Sequence, residues 1–380
     1  MDSLSGRVGG SERLLPVIPV DELSGRSAAS PLPLPHDDLL LEILLHLPPE
    51  PIYLLRASLV SKHWLRLIHD ARFLRRFRAF HGTPPVLDFL NNQPEAPLFV
   101  PTSAAFAAPS STTSHDSWWA LDCRHGRALL QSRNSGNPLV WDLMSGENRC
   151  LPRPPPALDD YDLGYGFNAA VLRADGEEDR VHCRSCPFLV AMAFTNRDDA
   201  GLISACVYSF DTGVWGDVIS VATEEDIEMH PTALVGDTLY WLMSAGCILA
   251  LDLDKHSLQT TEVPNDMFCY YKGTIVLMPA EGGGLGFATV EDFNLLLFSR
   301  VSTIDGTLFL APDVVLKPRR FPVDAIAFAE DADVIFICAG RSVYMLHLKS
   351  MKFDEVSQKG WYGPSIFPYT SFYTAVLPYL

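Results

Sequence analysis

Basic residues are scarce in this sequence, and long apolar runs are missing from it. The 29 Lys and Arg are outnumbered by 46 Asp and Glu, which gives a formal net charge of −17. An acidic surface repels phosphate backbones, so nucleic acid is disfavoured as a partner. No segment approaches the ~18–20 consecutive apolar residues that are needed to span a bilayer. The sequence therefore predicts a folded protein that acts neither on nucleic acid nor within a membrane.

The N-terminal region also lacks the pattern of a signal peptide. Its apolar run at 14–20 is short and interrupted by Pro16 and Pro19, and the acidic Asp21 and Glu22 follow it. Because we expect no secretion, we expect the eight cysteines to be reduced. Several of them lie in apolar, strand-like runs, as is typical of small core residues. The sequence thus predicts a cytoplasmic or nuclear location.

Signatures of catalysis and of metal binding are scarce as well. Neither GxSxG nor HExxH occurs in the sequence. His182, Cys183 and Cys186 could begin a zinc site, but no second CxxC or spaced His pair supplies the four ligands of a closed site. A structural role is the favoured interpretation of these residues, and metal or redox chemistry is the alternative. The sequence therefore predicts no catalytic residue, no cofactor and no bound metal.

Short strand-like runs dominate the chain after about residue 83. They are bounded by Gly, Pro, Asp and Asn, and five of them resemble one another. From the second run on they recur at intervals of roughly 42 to 49 residues, which is typical of four-stranded propeller blades. The five runs are 139–143, 207–211, 249–253, 295–299 and 343–348. They predict a large all-β domain, a kelch-like β-propeller of about six blades, with a large β-sandwich as the alternative.

Helical patterns are confined to the preceding stretch. The run 36–47 contains strong helix formers and an acidic first turn, and two prolines end it. A second helix is predicted from about Ile52 to Ile68, and a third from about Ala71 to Phe80. The arginines of the third helix are expected to face the β domain or an acidic partner protein. The predicted organisation is a disordered tail at 1–30, a three-helix all-α module at 31–80 and the β domain at 83–380.

The first two predicted helices carry more apolar surface than so small a module can bury. Seven of the twelve residues in 36–47 are Leu or Ile, and they leave only a narrow polar strip on the helix. A unit of about 40–45 residues is close to the lower limit for an independent core. We therefore expect a partner protein, or the β domain, to cover the surplus.

The order of residues in these helices resembles an F-box. The likeness is carried by LP at 34–35, DLLLEILLHLP at 38–48 and LLRASLVSKHW at 54–64. It implies a three-helix module that binds a Skp-type adapter and, through it, cullin and RING subunits. Some of the implied contact residues could instead form the core of the module. The implied adapter contacts are Leu34, Pro35, Leu39, Ile43, Leu44, Leu47, Pro48, Val60 and Trp64.

The β region resembles the domain that accompanies F-boxes in many grass proteins. The residues that carry this likeness are 122–127, 236–242 and 368–373. Together the two resemblances imply a plant F-box protein that serves, without catalysis of its own, as the substrate-recognition subunit of an SCF-type ubiquitin ligase. The alternatives are a scaffold that acts outside degradation, and a ligand-binding or enzymatic propeller with a helical cap. The identity of the substrate does not follow from the sequence.

Overall fold

A computed structural model of the chain describes four helices at its N-terminal end. They are α1 (Asp37–Leu45), α2 (Pro51–Ser58), α3 (Lys62–Ile68) and α4 (Ala71–His81). No described helix is long and apolar enough to cross a membrane. The predicted tail at 1–30 lies outside the described residues. These are 37–92, 97–102, 118–155, 166–174, 187–196, 201–262, 275–280, 283–291, 294–300, 308–310, 314–315, 323–356 and 366–372.

The described strands form six antiparallel sheets, the blades of a β-propeller. Strands β1 (Val86–Asn91) and β2 (Leu98–Pro101) belong to blade 6. Blade 1 contains β3 (Trp118–Arg124), β4 (Arg127–Ser132), β5 (Pro138–Asp142) and β6 (Asn148–Cys150). Blade 2 contains β7 (Phe167–Arg173), β8 (Phe188–Asn196), β9 (Leu202–Ser209), β10 (Val214–Trp215) and β11 (Ile219–Ala222). Blade 3 contains β12 (Ala233–Val235), β13 (Thr238–Leu242), β14 (Cys247–Asp252) and β15 (Ser257–Glu262).

The remaining blades complete the ring. Blade 4 contains β16 (Val276–Pro279), β17 (Leu285–Glu291), β18 (Asn294–Arg300), β19 (Leu308–Leu310) and β20 (Val314–Val315). Blade 5 contains β21 (Val323–Ala329), β22 (Val334–Ala339), β23 (Ser342–His347) and β24 (Lys352–Glu355). Blade 6 combines β25 (Ile366–Thr370) with β1 and β2. The prediction of a propeller of about six blades is confirmed, and the alternative of a β-sandwich is wrong.

Blade 6 closes the ring by joining the two ends of the β domain. Its central strand β1 pairs with β2 on one side and with β25 on the other, with Leu90 opposite Phe367. The ring of Phe89 packs edge-on against Phe336 of blade 5, with the centroids 5.7 Å apart. Closing a ring in this way leaves few sheet edges open to other chains.

The five repeated runs of the sequence lie in the third strands of blades 1 to 5, which are β5, β9, β14, β18 and β23. In four of these blades a left-handed residue follows within the next turn. These residues are Gly146, Gly213, His256 and Met351, with φ angles of 75°, 72°, 49° and 54°. Left-handed backbone favours glycine, which explains why a glycine stands in the turn after the third strand in blades 1 and 2.

The stretch predicted as one helix from Ile52 to Ile68 forms two helices. Leu59 ends α2, and Ser61 begins α3 as an N-cap whose hydroxyl accepts a hydrogen bond from Trp64 N at 3.1 Å. Serine is a favoured N-cap because it satisfies a backbone N–H of the first turn that has no helical partner. The module therefore has four helices, and residues 59–61 form a turn.

The core of the helical module includes a residue from the far end of the β domain. Its buried members on the helices are Leu40, Leu44, Leu45, Leu54, Ala57, Ile68, Phe73, Leu74 and Phe77. Phe372, two residues after β25, is buried in the same cluster, and its ring lies edge-on to Phe77 at 6.4 Å. The module is thus linked to the propeller both by the chain that leads from α4 into β1 and by the packing of Phe372 in the module core.

We predict that Phe372→Ala loosens the helical module while leaving the propeller folded. Removing a buried Phe side chain typically costs about 3–5 kcal/mol, and here the cavity opens beside α4. Hydrogen exchange should therefore accelerate in α1 to α4 and stay unchanged in β13 and β14. Phe353→Ala, in the edge strand β24 where the side chain is 42% exposed, is the matched control. Unchanged exchange in α4 would contradict the prediction.

Candidate protein-docking surfaces

Large apolar side chains lie exposed on the helical module. Leu39 and Ile43, one turn apart on α1, are 56% and 50% exposed. Leu59 and Val60, in the turn between α2 and α3, are 68% and 63% exposed. We call these four residues the α1–α3 patch. Pro48, which follows α1, is exposed as well.

The other predicted adapter contacts have different environments. Leu44 is fully buried in the module core, and Leu47 and Trp64 are half-buried against that core. Leu34 and Pro35 lie outside the described residues. The structure thus separates surface residues from core residues within the predicted set, which the sequence alone does not do.

Leu59 belongs to the patch although it was not among the predicted contacts. Within a continuous helix its place on the surface could not be assigned. Its exposure follows from the break between α2 and α3, and the signal for that break is the capping residue Ser61. Reading Ser61 as a helix start would have placed Leu59 and Val60 together in an interhelical turn.

Charged side chains join the helices of the module. His63 Nε2 lies 2.8 Å from Asp37 Oδ1, which brings the start of α3 to the start of α1. Arg76 forms an ion pair with Glu42 between α4 and α1. Residues 37–82 carry seven Lys and Arg against five Asp and Glu, whereas residues 83–380 carry 19 against 37. The helical module is therefore slightly basic, whereas the β domain is strongly acidic.

One end of the central channel of the propeller holds a buried ion network. Arg124, at the end of β3, donates hydrogen bonds to Asp122 Oδ2 at 3.2 Å, to Thr232 Oγ1 at 2.6 Å and to Glu330 Oε1 and Oε2 at 3.2 Å. Asp122 Oδ2 also accepts from Val171 N at 2.9 Å. The network therefore joins blades 1, 2, 3 and 5.

Burial and pairing have opposite effects on the pKa values in this network. Burial raises the pKa of Asp122, and the neighbouring Arg124 opposes that rise. Burial lowers the pKa of Arg124, but the Asp122 and Glu330 carboxylates outweigh it, so the net pKa lies above its ordinary value. The guanidinium stays charged and holds the two carboxylates in place. The space left beside it is about 20 Å³, room for little more than one water molecule.

The described residues show no sign of a metal site or of an activated thiol. They contain no group of three or more His, Cys, Asp and Glu that could hold a metal ion. Burial and the nearby Asp122 and Asp88 carboxylates raise the pKa of the Cys123 thiol, which disfavours the reactive thiolate. His182, Cys183 and Cys186 lie outside the described residues.

A groove lies between the outer strands of blade 2 and the turns of blade 3. Its volume is about 680 Å³, within the ~300–1,000 Å³ range of ligand pockets. Apolar side chains form part of its lining, among them Leu189, Val207, Val214, Ile219 and Leu253. Four carboxylates also line the groove: Asp217, Asp237, Asp252 and Asp254.

Comparison with known families agrees with this architecture. Residues 34–76 match the F-box domain. Residues 119–376 match the family described as F-box protein AT5G49610-like, beta-propeller. The chain belongs to this family of F-box proteins. The prediction of an F-box followed by a propeller is confirmed.

Similarity to individual proteins is low. No curated protein matches this F-box protein. Among solved structures, a chain of a mitotic checkpoint complex is 12% identical, with 65% of this chain and 68% of that chain covered and a TM-score of 0.34. The aldose sugar dehydrogenase of Streptomyces coelicolor is 16% identical, with 70% and 87% covered and a TM-score of 0.37. BamB of Moraxella catarrhalis is 10% identical, with 73% and 92% covered and a TM-score of 0.33.

The combination of an F-box with a propeller supports a substrate-receptor role for this F-box protein. F-box domains typically bind Skp-type adapters, and the propeller is the part left to hold a target. The family therefore favours a receptor or adaptor over a catalyst.

Asp88, in β1 of the closing blade, is fully buried. Burial raises its pKa to about 7, while the backbone N–H groups of Phe89 and Val100 lower it in part. Between pH ~4 and 7 Asp88 is therefore protonated in the folded protein and ionised in the unfolded chain. Folding takes up a proton in this window, so the free energy of unfolding falls as the pH rises through it.

We predict that Asp88→Asn removes this pH dependence. The stability of the variant relative to the wild type should grow by about 3 kcal/mol between pH 5 and pH 8, because the amide carries no charge to bury. Urea denaturation at both pH values measures the effect. Glu224→Gln, at an exposed position, is the control and should leave the difference unchanged. A constant offset between Asp88→Asn and the wild type would refute the prediction.

We also predict that Arg124→Met destabilises the F-box protein by about 3–5 kcal/mol, because it leaves Asp122 and Glu330 without their buried partner. Adding Asp122→Asn should restore part of the lost stability, since it removes one of the two buried carboxylates that Arg124→Met leaves unpaired. The free energies of unfolding of both variants test this coupling. Strictly additive effects, or a loss below about 1 kcal/mol for Arg124→Met, would argue against it.

Proposed function

We propose that this protein is the substrate-recognition subunit of an SCF-type ubiquitin ligase, with its F-box docked onto a Skp-type adapter that leads to cullin and RING subunits. The observation that carries the proposal is the α1–α3 patch. Its four side chains remain at least half exposed although the module already has a complete core. Several large apolar side chains exposed on so small a module are typical of a protein-docking surface.

Burial of the patch contributes part of the binding free energy. Fully burying one such side chain is worth about 1.5–3 kcal/mol, so covering the exposed half of four gives about 3–6 kcal/mol. Association costs about 4–15 kcal/mol. Further contacts are therefore needed, and the exposed Pro48 and the predicted contacts Leu34 and Pro35 are the candidates. Half-buried Leu47 and Trp64 can add the area that they leave uncovered.

The exposed basic residues of the module favour an adapter of opposite charge. Arg72 and Arg75 on α4, and Lys62 and Arg66 on α3, are exposed. Complementary charges raise association rates and disfavour wrong partners more than they add affinity. We therefore propose that the adapter presents an acidic surface to α3 and α4.

A receptor acts by holding its target at a defined place. The two links between the module and the propeller, through β1 and through Phe372, support this mechanism. β1 follows α4 directly and pairs with β25, and Phe372 completes the module core. A target held by the propeller is thereby kept at a fixed place relative to the adapter. Tethering raises the effective concentration of target lysines near the ubiquitin-charged enzyme without any bond chemistry by this chain.

The same reasoning disfavours an enzymatic propeller with a helical cap. The described end of the channel is filled by Arg124 and its partners, and its remaining space is too small for a substrate. For the location of the protein we propose the cytoplasm or nucleus. The five described cysteines are all free thiols, as suits a reducing compartment.

We predict that Leu39→Asp combined with Ile43→Asp abolishes adapter binding without unfolding the protein. Both side chains are half exposed, so a charge costs little in the free protein but stays unpaired in a dry interface. Pull-down and calorimetric titration with a Skp-type adapter measure the loss, and a thermal melt verifies folding.

Met351→Asp is the matched control, since Met351 is 45% exposed in a turn of blade 5. It should bind the adapter as the wild type does. Full adapter binding by the Leu39→Asp, Ile43→Asp variant would exclude the proposed docking surface. Ubiquitination of co-purified proteins, present for the wild type and lost in the double variant, separates a ligase receptor from a scaffold that acts outside degradation.

A further inference from the structure

We propose that the groove between blades 2 and 3 is the substrate-docking site and that it binds a basic peptide segment with apolar anchor residues. This inference rests on the proposed receptor function and names the class of substrate. It is argued from the shape, the lining and the charge of the groove.

The groove has the size and the surface to hold a short peptide segment. Its volume of about 680 Å³ lies in the range of specific ligand pockets. Of its apolar lining, Val214 is 58% exposed, and Val218, which stands between the lining residues Asp217 and Ile219 in the sequence, is 41% exposed. A partner can thus bury exposed apolar side chains in and beside the groove.

The negative charge of the groove favours a partner with a positive charge. Asp217, Asp237, Asp252 and Asp254 line it, against Arg173 and the imidazole of His256. Asp252 is already paired with Lys255 Nζ at 2.5 Å. Within the part of the chain that the structure describes, the carboxylates of Asp217 and Asp237 have no hydrogen-bond or ion-pair partner. These two are available to a Lys or Arg side chain of a bound segment.

The acidic character of the whole β domain acts in the same direction. Residues 83–380 carry 19 Lys and Arg against 37 Asp and Glu, so their field attracts basic segments before contact. The chain's own segment 175–186 joins the two strands β7 and β8 that border the groove. It contains four carboxylates and two arginines, so its charge has the same sign as the groove. A basic segment of another protein is therefore the better occupant.

The test uses the full chain, immobilised by a tag, and a displayed library of random hexapeptides built from Lys, Arg, Leu, Phe, Ser and Glu. We expect enrichment of peptides that combine basic and apolar residues. Binding of an enriched peptide should weaken roughly 3- to 30-fold in the Asp217→Asn, Asp237→Asn variant. Its dependence on salt should also become shallower, because two charge contacts are gone.

Two further variants separate charge from shape. Val214→Ser should weaken the same peptide without changing its dependence on salt, because it removes apolar contact only. Glu224→Gln with Asp226→Asn removes the same number of charges at exposed positions outside the groove lining and should bind the peptide as the wild type does.

Adapter binding by every variant is measured in parallel, so a failure of the receptor function is seen separately from a failure of the groove. The inference is overturned if the wild type enriches no basic and apolar peptides. It is equally overturned if the paired Asp217 and Asp237 substitutions weaken binding no more than the paired substitutions at Glu224 and Asp226. A groove occupied by the chain's own segment would give the first of these results.

Discussion

The buried guanidinium of Arg124 ties together strands that are far apart in the chain. Through Asp122, Thr232 and Glu330 it joins blades 1, 3 and 5, and Asp122 adds blade 2 through the N–H of Val171. A charge so deeply buried is stable only when its partners are in place, so the network disfavours any ring in which a blade is shifted. The relative positions of blades 1, 2, 3 and 5, and of the surfaces that they carry, depend on this constraint.

From the network the chain leads directly to the helical module. Asp331, next to Glu330, accepts a hydrogen bond from Thr370 Oγ1 at 3.2 Å, and Phe372 two residues later enters the module core. Few residues thus separate the channel from the F-box. Because the link consists of packed side chains and strand pairing, the relation between the adapter surface and the propeller is fixed by contacts, and a non-catalytic receptor acts through that relation.

Patterns that repeat within single elements could be predicted from the sequence. The five repeated runs identify the third strands of blades 1 to 5, because each of these blades needs the same apolar strand in its third place and a turn after it. The closing blade could not be predicted from this pattern, since its strands come from both ends of the domain. The leucine-rich helix at 36–47 was equally predictable, but a single apolar sequence could not reveal that Leu44 is buried while Ile43 is exposed.

Contacts between elements that are remote in the sequence could not be predicted, because a local sequence pattern does not show which distant element a side chain meets. Nothing near Phe372 or Arg124 indicates that one completes a helical core and the other crosses the channel. The charge of the propeller, in contrast, explains how the protein tolerates an exposed α1–α3 patch. Exposed apolar clusters promote association, and a strongly acidic propeller opposes it by repulsion between copies. The same excess of carboxylates that keeps copies apart supplies the charge with which the groove between blades 2 and 3 can select a basic partner.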